Sequence, residues 1–149
     1  MLRFVRGAAW DVFNDVIIQR FTSEAFAVSP DSDRMGVRLD GPELSRDNDA
    51  DLISEAVAPG TIQVPSSGKP ILLLGDCQTI GGYPKIAHVI TVDLGIAAQL
   101  RAGDHVRAAP RPRPYAARRR CDSRGNSRGD SRRAAASTVA APAGARRPA

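Results

Sequence analysis

Every Leu, Ile, Phe and Trp of this 149-residue chain lies before residue 107. A folded unit must bury large apolar side chains to offset the ordering entropy of its backbone. The core therefore has to come from residues 1–107. Residues 108–149 are almost wholly Arg, Ala, Pro, Gly and Ser, as in Pro110-Arg111-Pro112-Arg113-Pro114 and Arg118-Arg119-Arg120. Such a composition predicts a disordered tail. The same bias is what a GC-rich gene yields when read out of frame, so a frameshift near residues 106–109 is expected.

Charge divides at the same place. The net charge of +5 combines a body of net −5 over residues 1–106, with nine Lys/Arg and fourteen Asp/Glu, and a tail of net +10. A mildly acidic body argues against a nucleic-acid-binding fold, and arginine without interleaved aromatics adds little to that case. The longest apolar run, residues 71–74, is strand-sized and far too short to span a bilayer. No signal-peptide core follows the N-terminal methionine. Cys77 and Cys121 are distant and isolated, so no disulfide framework is expected and a reducing cytoplasm is the default.

Within the body the pattern is mostly that of strands. Residues 2–5, 25–28, 37–39, 52–56, 61–64, 71–74 and 87–92 are short and rich in β-branched or large apolar residues. Turn signals separate them, including Ser29-Pro30, Asp40-Gly41-Pro42, Pro59-Gly60, Ser66-Ser67-Gly68 and Gly81-Gly82. Val12, Val16, Ile17 and Phe21 have helical spacing, and Thr22-Ser23 would end that helix. Residues 94–100 allow one short helix, and residues 105–107 a last strand. The expectation is an all-β, mainly closed or sandwiched unit with one or two short helices.

Three stretches are dense in chemistry. In Ser29-Pro30-Asp31-Ser32-Asp33-Arg34-Met35-Gly36-Val37-Arg38, the hydroxyls with Arg34 and Arg38 could cradle an anion. By residue type alone, a capped turn in which Asp33 pairs locally with an Arg is favoured. In Ile53-Ser54-Glu55-Ala56-Val57-Ala58-Pro59-Gly60-Thr61-Ile62-Gln63-Val64-Pro65, two strands joined at Pro59-Gly60 would bring Glu55 near Gln63. A hairpin with its polar residues in water reads equally well. In Gly75-Asp76-Cys77-Gln78-Thr79-Ile80-Gly81-Gly82-Tyr83-Pro84-Lys85, a buried strand delivers a carboxylate, an amide, two glycines, a phenol and an ammonium. Here Asp76 suits a base and Lys85 an electrostatic clamp, with Gly81-Gly82 exposing backbone N–H groups. The plain alternative is a wide turn capped by Asp76.

Sharper motifs are absent. Gly68-Lys69 lacks the earlier glycine of a phosphate loop, where Gln63 stands, and Pro70 follows it. His88 and His105 have no ligand-spaced partner, so no metal is expected. Ser66-Ser67 has no nucleophile-elbow context, and Cys77 reads as a small buried residue.

The three stretches, in this order, resemble the family of the 5-oxoprolinase C subunit, also described as the KipI-antagonist or allophanate hydrolase subunit 2 family. That family is similar to the carboxyltransferase domain of urea carboxylase. The resemblance spans about residues 2–107 and closes on Leu100-Arg101-Ala102-Gly103-Asp104. It implies a cyclophilin-like β-barrel half-domain, with this chain matching only the C-terminal half of the family's domain. It further implies ATP-driven opening of the lactam of 5-oxo-L-proline to glutamate, with ATP as co-substrate. The partners would be a KipI-like protein of the B-subunit type and the A subunit of 5-oxoprolinase. In the alternative, carboxylate moves from a biotin carboxyl carrier to a urea-like nitrogen; a non-catalytic KipI-binding regulator and an inactive fragment are further readings. Asp76 and Lys85 are the expected catalytic residues. Ser32, Arg34, Arg38, Gln63, Gln78, Gly81, Gly82 and Tyr83 are the expected substrate-binding residues. An apolar face left open by the missing half is also expected.

Overall fold

The computed structural model describes residues 1–46 and 53–112. The expected disordered tail, with Cys121, lies outside the described residues from position 113 onward, as does Leu52. The strands are β1 (Leu2–Arg6), β2 (Ala25–Val28), β3 (Gly36–Asp40), β4 (Glu55–Ala56), β5 (Thr61–Gln63), β6 (Ile71–Leu73), β7 (Ile80–Gly81), β8 (Lys85–Val89) and β9 (His105–Pro110). Seven of them close into a barrel in the order β1-β8-β5-β6-β3-β2-β9. The other two, β4 and β7, pair with each other as a separate ribbon. Barrel neighbours are antiparallel except β1 and β9, which run parallel and close the ring. The mainly-β expectation holds in the form of a closed barrel, a geometry that leaves no sheet edge open.

The core is filled by the alternate residues the strands turn inward, among them Leu2, Phe4, Phe26, Val28, Val37, Leu39, Ile62, Leu72 and Val89. Helix α1 (Asp15–Ser23) adds Ile17 and Phe21, one turn apart on its buried face. Phe4, Trp10, Phe21 and Phe26 form a chain of aromatic contacts with centroids 5.2–6.5 Å apart. The helix starts three residues later than the apolar spacing suggested. Asn14 Oδ1 accepts the Ile17 N–H at 3.0 Å and so sets the N-terminus there. Val12 belongs to a separate 3₁₀ turn, Trp10–Val12, and both Val12 and Val16 are exposed. At the other end the expected helix over residues 94–100 is a 3₁₀ turn, Thr91–Asp93, running into a short helix α2 (Leu94–Ala97).

A half-buried ion pair joins the first strand to the turn after β8. Asp93, 2% exposed, accepts from the Arg3 backbone N–H at 2.8 Å and from its guanidinium at 2.6 and 3.0 Å. The Arg3 guanidinium and backbone N–H hold the Asp93 carboxyl down at about 2.

Two expectations are corrected. The hairpin across Pro59-Gly60 does not form: β5 pairs with β6 and β8, and Glu55 pairs instead with Gly81 of β7. Gly60, at φ +91°, turns the chain from the ribbon into the barrel, and a Cβ there would meet Leu94 at 2.7 Å. The last strand runs to Pro110 rather than Arg107, because β1 provides partners for Ala108, Ala109 and Pro110.

Candidate functional site

Strand register assembles the site. Arg38 of β3 pairs with Ile71 of β6, Ile71 with Gln63 of β5, and Gln63 with Lys85 of β8. Their strand neighbours Val37, Leu39, Leu72, Ile62 and Ile86 are in the core. Alternation therefore turns Arg38, Ile71, Gln63 and Lys85 outward in one row across four strands. A bulge completes the row. Ile62 faces Ala87 while Gln63 faces Lys85, so β8 carries one extra residue, Ile86. Ile86 and Ala87 are both fully buried as a result, and Lys85 and His88 emerge on the same outer face. In the next row Thr61 faces His88, with Thr61 Oγ1 and His88 Nδ1 3.2 Å apart.

The β4–β7 ribbon covers part of this outer face. Gln63 points outward yet is 1% exposed, because Gly81 lies on it. A Cβ on Gly81 would stand 2.7 Å from Gln63 Nε2 and 3.3 Å from Val57 Cγ1. Gln63 Nε2 has no hydrogen-bond partner among the described residues. Lys85 fastens the ribbon: its ammonium donates to Glu55 Oε2 at 2.6 Å and to the Ala56 carbonyl at 3.0 Å. The Val57 N–H donates to the Thr79 carbonyl at 2.9 Å and extends the ribbon's pairing.

Beside the ribbon is a groove of about 210 Å³ lined by Asp33, Arg38, Gln63, Ile71, Gln78 and Tyr83, among others. It joins residues from all three dense stretches of sequence. Asp33 is not available to a ligand on one side: its Oδ1 accepts the N–H groups of Met35 and Gly36 at 2.8 and 3.0 Å, capping the turn before β3. The capped turn is thus present, built on backbone N–H groups. Ser32 serves the same turn, with its Oγ accepting from the Arg38 N–H at 2.9 Å. Next to the groove, and sharing Arg38, Ile71 and Tyr83 with it, a larger cavity holds Ser66, Ser67 and the pair Lys69–Asp40 at 2.9 Å. The Lys69 ammonium and the Ser29 hydroxyl hold the Asp40 carboxyl below its ordinary range.

The expected site residues divide accordingly. Arg38, Gln63, Gln78 and Tyr83 share the groove, with Gly81 backing Gln63. Asp76 and Lys85 face different partners. Asp76 is exposed with Arg34 Nε 3.7 Å from its carboxylate, whereas Lys85 faces Glu55. An exposed pair such as Arg34–Asp76 contributes about 0–1 kcal/mol. Gly82 is exposed. The glycines around Asp76 are not conformationally forced either: among the described residues positive φ occurs at Gly60, Gly68 and Gly103. Gly81 matters for the space over Gln63. Glu55, the partner of Lys85, stands in a polar stretch but is not among the expected site residues, because 30 positions separate the two and no motif links them.

Among the described residues no helix is long and apolar enough to cross a membrane.

Comparison with known proteins bears on the family and the fold. A family model described as carboxyltransferase domain, subdomain A and B, matches residues 1–110. The chain is 46% identical over 82 residues to the 5-oxoprolinase C subunit of Haemophilus influenzae, covering 55% of this chain and 26% of that protein. It is 38% identical over 105 residues to the 5-oxoprolinase C subunit of Escherichia coli, covering 70% of this chain and 34% of the relative. The chain thus spans about a quarter to a third of the length of these relatives. In fold it resembles the crystal structure of the Kluyveromyces lactis urea carboxylase, with a TM-score of 0.68 at 23% identity over 73% of this chain and 10% of that one.

Proposed function

The chain belongs to the carboxyltransferase-domain family, subdomain A and B, and on that premise we propose that it supplies one wall of a 5-oxo-L-proline site in a cytoplasmic, ATP-dependent 5-oxoprolinase. The relatives are named as the C subunit of that enzyme, which implies other subunits. Partners of the A and B types complete the proposal.

The observation that carries it is the groove over Gln63. A buried donor left unpaired costs about 1–3 kcal/mol, so Gln63 Nε2 calls for an acceptor beside it. A lactam carbonyl oxygen is one. The substrate's carboxylate needs a cation at short range, and Arg38 lies in the same row, one strand beyond Ile71. Gln78 can accept the lactam N–H, and Tyr83 borders the ring. These groups bind and orient. They do not by themselves open the ring, because the lactam is resonance-stabilised. ATP supplies that step in the complete enzyme. Transfer of its γ-phosphoryl group to the carbonyl oxygen, releasing ADP, would make the ring carbon electrophilic; one water adds and the C–N bond breaks to leave an acyl phosphate, which a second water hydrolyses to glutamate and phosphate. Hydrogen-bond donors at that oxygen are worth most when charge develops on it.

The test compares 5-oxo-L-proline with 2-pyrrolidinone, which keeps the lactam and lacks the carboxylate. In an assembly completed from the relatives' remaining sequence and their partner subunits, Arg38→Gln should raise KM for 5-oxo-L-proline about tenfold or more. The same change should leave 2-pyrrolidinone unaffected. Equal effects on both compounds, or no effect on either, would take Arg38 out of the site.

A further inference from the structure

Two clefts flank the Lys85 ammonium and share it as a lining group. One, of about 390 Å³, has mostly apolar walls, including Val12, Ile53 and Tyr83. These are large side chains held 50%, 87% and 51% exposed around one cleft, the kind of apolar patch that marks a binding surface. The other, of about 350 Å³, is lined by Arg6 and His88 together with Lys85. The bulge at Ile86 is responsible for that second cluster. Residues 85 and 88 of a regular strand face opposite ways; the extra residue brings them to the same face. The Arg6 guanidinium is placed by the Trp10 ring, 5.0 Å below it.

The charge of the second cleft is one-sided. Its lining contains no carboxylate among the described residues, since Glu55 reaches Lys85 from the apolar cleft. An ammonium has three donors. Glu55 Oε2 and the Ala56 carbonyl take two, which leaves one for a ligand. We infer that the two clefts form one site for a small amphiphilic carboxylate: its anionic end among Arg6, Lys85 and His88, its apolar body over Val12, Ile53 and Tyr83. Apolar walls with a few convergent polar groups are the usual build of a small-molecule site. The inference does not rest on the lactam reading. A 5-oxo-L-proline titration reports on Arg38 and Gln63, whereas this site reports on Arg6 and His88.

The experiment titrates the full chain with hexanoate, acetate and 1-hexanol, followed through backbone amide shifts. Hexanoate should saturate the shifts around Ala8, Ile53, Lys85 and His88. It should bind about tenfold tighter than acetate, which lacks the apolar body, and than hexanol, which lacks the charge. Arg6→Gln and His88→Gln should each weaken hexanoate about three- to tenfold and leave hexanol unchanged. Arg6 is a surface residue, so its variant carries the test even if the loss of the His88–Thr61 contact disturbs the fold. The inference is overturned by hexanol binding as tightly as hexanoate, by shifts centred on Arg38 and Gln63, by hexanoate affinity indifferent to Arg6→Gln, or by no saturable shift at all.

Discussion

Gln63 is where a single residue carries the most. It stands outward on a barrel strand, is covered by a glycine, and holds an amide donor that nothing among the described residues accepts. Gly81→Ala would press a methyl group onto that amide at 2.7 Å. The amide is the far end of a flexible side chain that lines the groove, so it can shift and the expected cost is about 1 kcal/mol. That corresponds to a fall in melting temperature of roughly 4–8 °C for a domain this size. Gly75→Ala is the control, since a Cβ at Gly75 meets nothing within 4 Å. Matching melting curves for the two variants would remove the packing role given to Gly81. Asp93 supplies a pH dependence. Its folded pKa of about 2 lies below its ordinary 3.8. A depressed carboxylate pKa stabilises the fold fully above the unfolded value, and the contribution fades as pH falls from about 4 to about 2. Wild type should therefore lose stability through that window, and Asp93→Asn should lose part of that slope while melting several degrees lower at pH 7. Parallel acid titrations of the two proteins would count against the Arg3–Asp93 pair as the cause.

Among the elements, the β4–β7 ribbon is the least secured. It has two residue pairs of its own and is fastened to the barrel by Lys85. The Lys85 ammonium is mostly covered while the Glu55 carboxylate is largely exposed, so the latch contributes about 1 kcal/mol. Lys85→Met keeps the apolar stem and removes the latch. It should speed amide hydrogen exchange at Val57 about three- to tenfold and leave β5 and β6 unchanged. Unaltered exchange at Val57 would mean that packing over Gln63 alone holds the ribbon. Little in the sequence marks this element. Two-residue strands carry no periodicity, and Gly81-Gly82 looked like a turn because glycine is the usual turn residue.

At the scale of the molecule, closure decides stability. Barrel strand β9 lies between β1 and β2, and its last three residues pair with Leu2, Arg3 and Phe4. Arg111 N–H adds one more bond, to the Phe4 carbonyl at 2.8 Å. A chain ending after Pro112 should keep the melting temperature of the full chain within about 2 °C. One ending after Arg107 should lose the β1–β9 ladder and melt at least about 10 °C lower, since it opens a sheet edge. Equal stability of the two truncations would show that the ring does not depend on that parallel pair.

Composition alone determined that the core lies before residue 107, because Leu, Ile, Phe and Trp occur nowhere else. Short β-branched runs between turn residues determined the mainly-β class, and the order of three polar stretches determined the family. Which residues meet was decided only by the fold. Arg38, Gln63 and Lys85 share a row through register, and a one-residue bulge reversed the side on which Lys85 emerges. Register follows from the sum of pairings around a closed ring, and no local stretch of sequence carries that sum. The meeting of Lys85 with Glu55 has the same origin: residues 30 apart in the chain are joined at the ribbon, while Asp76 faces Arg34.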